Sequence, residues 1–417
     1  MDSNLSFLVL HETFGTGCPG GSTKVFRETS KRLADAGHRV AAIARTYPTA
    51  SGVPKNDGVE YFRYDDVENA STPRRFRHYK QNIRRLFNKV YAETAPDIVI
   101  VHSTMAALGL SKTLANIDIP VINYFHSPWH LEYESAMGLD AKPSFSMTRL
   151  KLTILARARK HLESKCLAAA KGYVTLSDSM RRIAVTVHPF LDNTPSKIIH
   201  GAADTHLFRP LKNQEEKRAI REKFSLPKDR FVIISSRRMV PRTGLDTLIA
   251  AFAVTASRLP EGAVLLLTGD GPIREHLRDL AVKLGVDRQV VFTGHVSDED
   301  LAALYRASEL FVMPTKELEG FGLSTVEAMA SGIPAIGTDI GGTGEILGRV
   351  SRELLIPNAS AEALEKKLLF WTNSSELKYW GDISMEVARK LFTWERHAKA
   401  LLDFVRELRG ETDRKKE

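Results

Sequence analysis

A chain of 417 residues exceeds what one hydrophobic core usually supports, so two domains of about 150 to 200 residues are predicted. With 43% apolar and 26% charged residues the composition is that of an ordinary globular protein and excludes long disorder. The net charge of +9 asks for an anionic partner without choosing among nucleotide, acidic substrate, membrane surface and nucleic acid. Two cysteines, Cys18 and Cys166, exclude a disulfide scaffold and fit a reducing cytoplasm. The start, MDSNLSFLVLHETFG, has no basic segment ahead of a long apolar core, and later apolar runs are strand-sized; a secreted or membrane-spanning chain is not expected.

Strand-like runs alternate with helix-length segments. In the first half they are LSFLVL, RVAAIAR, DIVIVH, VINYFH, GYVTLS and KIIH. Apolar on both faces, they predict parallel sheets covered by helices. After the first strand, HETFGTGCPGG leads into an amphipathic helix, and Gly20 and Gly21 would let its amides meet a phosphate or a hydroxyl-rich group; a structural turn is the alternative. Two helical stretches, Arg74 to Lys89 and Thr148 to Lys165, concentrate basic charge among apolar residues. A solvated face is the plain reading, an anionic lipid surface a second, and nucleic acid the least supported, since no nucleic-acid motif accompanies them. At the end of another strand, NYFHSPWHLEY sets His126 where an imidazole faces a ligand crevice, to hydrogen-bond a hydroxyl or assist proton transfer; a structural histidine is the alternative. No nucleophile elbow and no HExxH occurs, which argues against hydrolytic and zinc chemistry.

Pro210 and the charged stretch behind it mark a boundary at about residues 205 to 212. The predicted strands of the second half are FVIISSR, AVLLLTG, QVVFTG, ELFVMPT and PAIGTDI. The first ends in SSRRMVPRTG, whose Arg237, Arg238 and Arg242 suit a diphosphate. TGDGP, with Gly269, and FTGHV, with Gly294, His295 and Val296, end the next two, near ligand or as plain turns. After ELFVMPT comes Glu319, then a helix predicted to begin near Leu323, capped by Ser324 or Thr325 and carrying Glu327. Amides of Phe321, Gly322 and Leu323 form a donor cluster for an anion or sugar hydroxyls; two solvated glutamates is the alternative.

The motif Glu319-Gly-Phe-Gly-Leu-Ser-Thr-Val-Glu327, an E-x7-E pattern, is followed by EAMASGIPAIGTDIGGTGEIL. With HLFRP, GDGP, FTGHV and a terminal TWE helix in the same order, the chain resembles retaining glycosyltransferase family 4 over most of its length. The resemblance implies an α/β chain of GT-B fold: two Rossmann-like, doubly wound parallel-sheet domains facing across a cleft. An amino-terminal acceptor domain of residues 1–207, completed by a returning helix from about 394 to 417, would precede a nucleotide-sugar-binding domain of residues 208–393.

By the same resemblance Glu319 contacts the donor sugar and Glu327 the ribose. Phe321, Gly322 and Leu323 hold sugar and diphosphate, Gly269 and Thr243 line the donor site, and Gly294, His295 and Val296 lie near the base. His126 stands beside the transferred sugar, and Gly20 and Gly21 form the amino-terminal glycine loop. Two departures stand out: the lysine often found five residues after the arginine at Arg238 is Thr243, leaving Arg242 to supply that charge, and the frequent Asn-Gly is Gly201-Ala202. The implied reaction moves a hexosyl unit from a nucleoside-diphosphate sugar, UDP- or GDP-linked, to an acceptor hydroxyl with retention. Glu319, His126, Arg238 and Arg242 would act in it, with no required metal or other cofactor. The acceptor would be a glycan, a lipid-linked sugar or a small molecule, with peripheral contact at the inner face of an anionic membrane. A GT-B epimerase or phosphorylase, or a non-catalytic sugar-nucleotide-binding relative, is the alternative.

Overall fold

Four-residue runs such as Ile98–Val101 and Val121–Tyr124 are buried at every position, as strands covered on both faces must be. The computed structural model describes residues 4–14, 20–46, 57–64, 73–137, 147–259 and 262–410. The chain divides into two compact units, Met1–His200 with Trp394–Glu417, and Gly201–Thr393. Cys18, most of the glycine-rich loop before Gly20 and the charged tail after Gly410 lie outside the described residues.

The first unit runs β1 (Ser6–Phe14), α1 (Gly21–Asp35), β2 (Arg39–Thr46), β3 (Val59–Arg63), α2 (Pro73–Thr94), β4 (Ile98–Val101), α3 (Ser111–Ala115), β5 (Val121–Tyr124), α4 (Trp129–Ala136), α5 (Met147–Ala168), β6 (Gly172–Thr175), α6 (Asp178–Val187) and β7 (Ser196–Ile198). Its strands lie in the order β3-β2-β1-β4-β5-β6-β7, all parallel. Sequence order reverses between β1 and β4, so a crevice opens at their carboxyl ends. Leu8, Leu10, Val99 and Val101 pack on Ile83, Phe87 and Val90 of α2. The last helix of the chain, Trp394–Arg409, belongs to this unit and buries Leu401, Phe404 and Val405. It sits so close to β6 that a Cβ on Gly172 would lie 2.9 Å from Phe404 Cζ.

The second unit runs α7 (Gln214–Lys223), β8 (Phe231–Ser236), α8 (Leu245–Ser257), β9 (Ala263–Thr268), α9 (Arg274–Lys283), β10 (Val290–Gly294), α10 (Asp298–Ala307), β11 (Leu310–Met313), α11 (Leu323–Ala330), β12 (Ala335–Thr338), α12 (Gly341–Gly348), β13 (Leu355–Ile356), α13 (Ala361–Thr372) and α14 (Leu377–Leu391). The final helix Trp394–Arg409 is α15. Its sheet order is β10-β9-β8-β11-β12-β13, again all parallel, with the reversal between β8 and β11. Two strands escape the sequence pattern, β3 and the two-residue β13, and both are sheet edges.

One helix start departs from expectation. Neither Ser324 nor Thr325 caps α11: the cap is Gly322, at φ 100°, and both hydroxyl residues lie inside the first turn. A side chain in that backbone conformation would be strained, and glycine is not. Elsewhere side-chain caps do form, as at Asn213, whose Oδ1 accepts from the Glu216 amide at 2.8 Å, and at Ser297 before α10.

Candidate active site

At the carboxyl ends of β8, β9 and β10 the loops are stitched edge to edge. The Arg237 amide donates to Thr268 O, the Met239 amide to Asp270 O and the Gly269 amide to Gly294 O, at 2.8 to 2.9 Å. A Cβ on Gly269 would lie 2.1 Å from Arg237 O, so its glycine serves the close approach of the arginine loop. Gly294 closes the row, followed by exposed His295 and half-buried Val296. From the other side Gly244, at φ 74°, presses the same loop onto β11: a Cβ there would stand 1.9 Å from Pro314 O.

This packing delivers Arg237 to the switch point between β8 and β11. Its Nη2 pairs with Glu319 Oε2 at 2.5 Å and its Nη1 meets Thr315 Oγ1, which itself donates to the same carboxylate oxygen at 3.2 Å. Burial lowers the guanidinium pKa and the nearby Arg242 adds to that, while Glu319 opposes it. Arg238 is exposed beside them. Arg242 Nη1 donates to Leu318 O at 2.8 Å, gripping a leucine held at φ 54°, where bulky side chains are rarely found. Thr243 is buried with its hydroxyl donating to Val240 O at 2.7 Å, and so brings no charge to the site.

Glu319 O accepts from the Gly342 amide at 3.2 Å, and a Cβ on Gly342 would stand 2.4 Å from Phe321 Cα. The glycine pair in DIGGTGE therefore brings the start of α12 under the Glu319–Phe321 loop. Around Gly322 the hydroxyls of Thr325 and Thr343 are buried and without a hydrogen-bond partner among the described residues. The amides of Leu323 and Ser324, the first two of α11, have no intrahelical acceptor and join them as a donor cluster. Glu327, only 3% exposed, lies one turn in. Burial first, then the Glu327 charge, pushes the Tyr305 hydroxyl pKa well up. Phe321 is buried against Phe392, ring centroids 5.7 Å apart. It fills the space that a side chain at Gly201 would need: a Cβ there would lie 2.6 Å from Phe321 Cδ1.

In the first unit histidines gather at the corresponding end of the sheet. His11 on β1, His102 after β4 and His126 after β5 come from strands adjacent in the sheet, and α15 adds His397. His102 Nδ1 and His126 Nε2 are 3.2 Å apart, and the two rings stack with Tyr124. His397 Nε2 lies 3.1 Å from both Tyr124 Oη and Thr29 Oγ1. Burial, with His11 and His397 nearby, holds His126 down to about 3; His11 and His397 fall to about 4, chiefly by burial. Burial, with His126, His11 and His397 nearby, also lowers His102 well below the ordinary value, and its Nε2 is buried without a partner among the described residues. These imidazoles are neutral at pH 7. Gly20 and Gly21 stand at the start of α1, behind β1 and at this same end of the sheet.

The sequence pattern does not single out His11, His102 or His397, and it offers Arg237 as a diphosphate ligand rather than as the partner of Glu319. A signal existed for two of the histidines: FLVLH and IVIVH, like NYFH, each set a histidine directly behind an apolar run. Among the described residues no group of three or more His, Cys, Asp or Glu is arranged to hold a metal ion. Cys166 is buried and free, its thiol pushed up to about 12 by burial and Glu163.

Two parallel-sheet α/β units, each with its reversal point, define the GT-B class of fold. Sucrose-phosphate synthase from Thermosynechococcus elongatus has this fold, superposing with a TM-score of 0.78 over 98% of this chain and all of that one at 21% identity. The family model for Glycosyltransferase Family 4 matches residues 19–207, and that for Glycosyl transferases group 1 matches residues 216–381. The chain belongs to glycosyltransferase family 4. It is 31% identical to the GDP-mannose-dependent alpha-(1-6)-phosphatidylinositol monomannoside mannosyltransferase of Mycobacterium tuberculosis, over 49% of this chain and 54% of that one. The chain thus spans about half the length of that relative. It is 27% identical to the D-inositol 3-phosphate glycosyltransferase of a Nocardioides species, over 95% of this chain and 87% of that one.

Proposed function

We propose that this protein transfers a hexosyl unit from a nucleoside-diphosphate sugar to an acceptor hydroxyl, with retention at the anomeric carbon. The observation that carries the reading is the Arg237–Glu319 pair at the β8/β11 switch point, beside the α11 amides and flanked by Arg238 and Arg242. Guanidiniums clustered next to the first amides of a helix suit a leaving diphosphate, and a fixed carboxylate suits the hydroxyls of the sugar. In this reading Arg238 and Arg242 neutralise the diphosphate, and Phe321, Gly322 and Leu323 offer amides to sugar and phosphate. Glu319 orients the sugar and Glu327 holds the ribose, with Gly269, Thr243, Gly294, His295 and Val296 around the nucleotide. The arginines and amides carry the charge neutralisation, and no metal ion is given a role.

Arg237 holds Glu319 in place, which makes it a positioning residue. His126, neutral at pH 7, acts through hydrogen bonding to the sugar rather than as a charged acid, and Gly20 and Gly21 face the acceptor. GDP-mannose is the first donor to test, because the mycobacterial relative is named for it. The same name makes a lipid-linked hydroxyl the leading acceptor, with the reaction at the inner, cytoplasmic face of an anionic membrane.

The test is donor turnover by the purified protein across UDP-, GDP- and ADP-sugars, with and without added acceptors. Slow donor hydrolysis abolished by Glu319→Ala is expected. Turnover with no donor at all would favour a binding relative, and rearrangement of the sugar without an acceptor would favour an epimerase. A ligand at 100 times its Kd adds about 2.7 kcal/mol of stability, so a thermal-shift screen finds the nucleotide first.

A further inference from the structure

Both basic helices of the first unit read alike in sequence, and the structure separates them. On α2 the apolar residues Tyr79, Ile83, Phe87 and Val90 face the core, and the exposed side is polar: Arg77, Gln81, Arg84, Arg85, Asn88 and Lys89. On α5 large apolar residues face outward, with Leu150 and Ile154 each 55% exposed and Leu155 50%. Lys151, Arg157 and Ala158 share that outward arc, while the opposite side buries Ala156, Glu163 and Leu167. The residues from Arg149 to Leu162 include five lysines and arginines and no acid.

The inner side fixes the helix firmly. Glu163 Oε1 accepts from the Trp129 amide at 2.9 Å and its Oε2 from His188 Nε2 at 3.0 Å. The Arg159 guanidinium lies over the Tyr133 and Trp129 rings at 3.9 and 4.8 Å. The outward residues are thus presented by an anchored helix, and single exposed leucines need no explanation where three on one arc do.

We infer that the outward face of α5, with Leu150, Ile154 and Leu155 set among Lys151 and Arg157, docks on an anionic lipid surface. Apolar side chains enter the headgroup boundary while the lysine and arginine reach lipid phosphates, the division of labour of an interfacial helix. A second copy of this chain fits less well, because a twofold contact would set this cationic face against itself. No helix among the described residues is long and apolar enough to cross a membrane, so the contact is peripheral. The inference rests on the membrane element of the proposed function and not on its chemistry.

The test is co-sedimentation of the full chain with vesicles of phosphatidylcholine alone or mixed with phosphatidylglycerol, at low and high salt and without donor. Wild type is expected to bind the mixed vesicles and release them at high salt. Leu150→Ser/Ile154→Ser/Leu155→Ser and Lys151→Glu/Arg157→Glu should each weaken binding about tenfold or more, with unchanged melting and donor hydrolysis. Equal binding by the triple variant, or none by wild type, overturns the inference. So does a wild-type dimer that the triple variant converts to monomer, which would make the face a contact between copies. Donor hydrolysis in solution reports on the chemistry alone, so failure of one reading is told apart from failure of the other.

Discussion

Arg237 and Glu319, 82 positions apart in sequence, meet at the carboxyl ends of two strands that neighbour each other in the sheet, their side chains 7% and 13% exposed. Removing one partner of such a pair strands the other charge. Arg237→Ala is therefore expected to destabilise the second unit by about 3 kcal/mol, and Arg237→Ala/Glu319→Ala by less than Arg237→Ala alone. Urea unfolding of the two singles and the double measures this; additive losses would mean the pair is not coupled.

Glu319 and Glu327 should separate kinetically. Glu319→Gln, beside the proposed sugar, is expected to lower kcat by about 100-fold or more with donor KM little changed. Glu327→Gln should raise donor KM more than it lowers kcat. A fall in turnover for Glu327→Gln with unaltered donor affinity would refute that division.

Histidines of the first unit make stability depend on pH. Their folded pKa values, about 4 for His11 and His397 and about 3 for His126, lie below the ordinary 6.5. As pH falls below about 6.5 the unfolded chain takes up protons that the folded one refuses, so stability is lost down to about pH 4 through His11 and His397 and on to about pH 3 through His126. Denaturation at pH 7, 6 and 5 should show a loss on the order of a few kcal/mol, made shallower by His397→Gln. A flat profile would mean that these rings are charged or solvated in the folded protein.

Restoring the family's asparagine at Gly201 should harm the fold, because Phe321 and Leu323 occupy its place, with a Cβ at 2.6 and 2.8 Å from their carbons. Gly201→Asn is expected to cost about 1 to 3 kcal/mol, as overpacking does. Combining it with Phe321→Ala should recover part of that loss in thermal melts. An unperturbed single variant would mean that the ring moves aside freely.

Much of the fold was legible because parallel strands buried on both faces appear as uninterrupted apolar runs. β3 was missed because VEYFR is only partly buried at an edge, and β13 because two residues make no pattern. The glutamates and helix of the E-x7-E stretch stood out as a local motif. Arg237 stood out only as one of three arginines suited to a diphosphate, because its pairing with Glu319 depends on which strands lie side by side. The cap of α11 was assigned to Ser324 or Thr325 on side-chain chemistry, whereas backbone geometry gave it to Gly322. His397 escaped because a returning helix, rather than spacing, brings it to the histidines at the strand ends.

The return of α15 orders events during synthesis. It brings His397 to Tyr124 and Thr29 and packs Phe404 against the strand at Gly172, so the first unit keeps an open seat until residues 394–409 leave the ribosome. Residues 201–393 form an uninterrupted stretch that needs no later segment to complete it. The segment synthesised first is therefore the one completed last, because its unit waits for a helix made after the whole of the second.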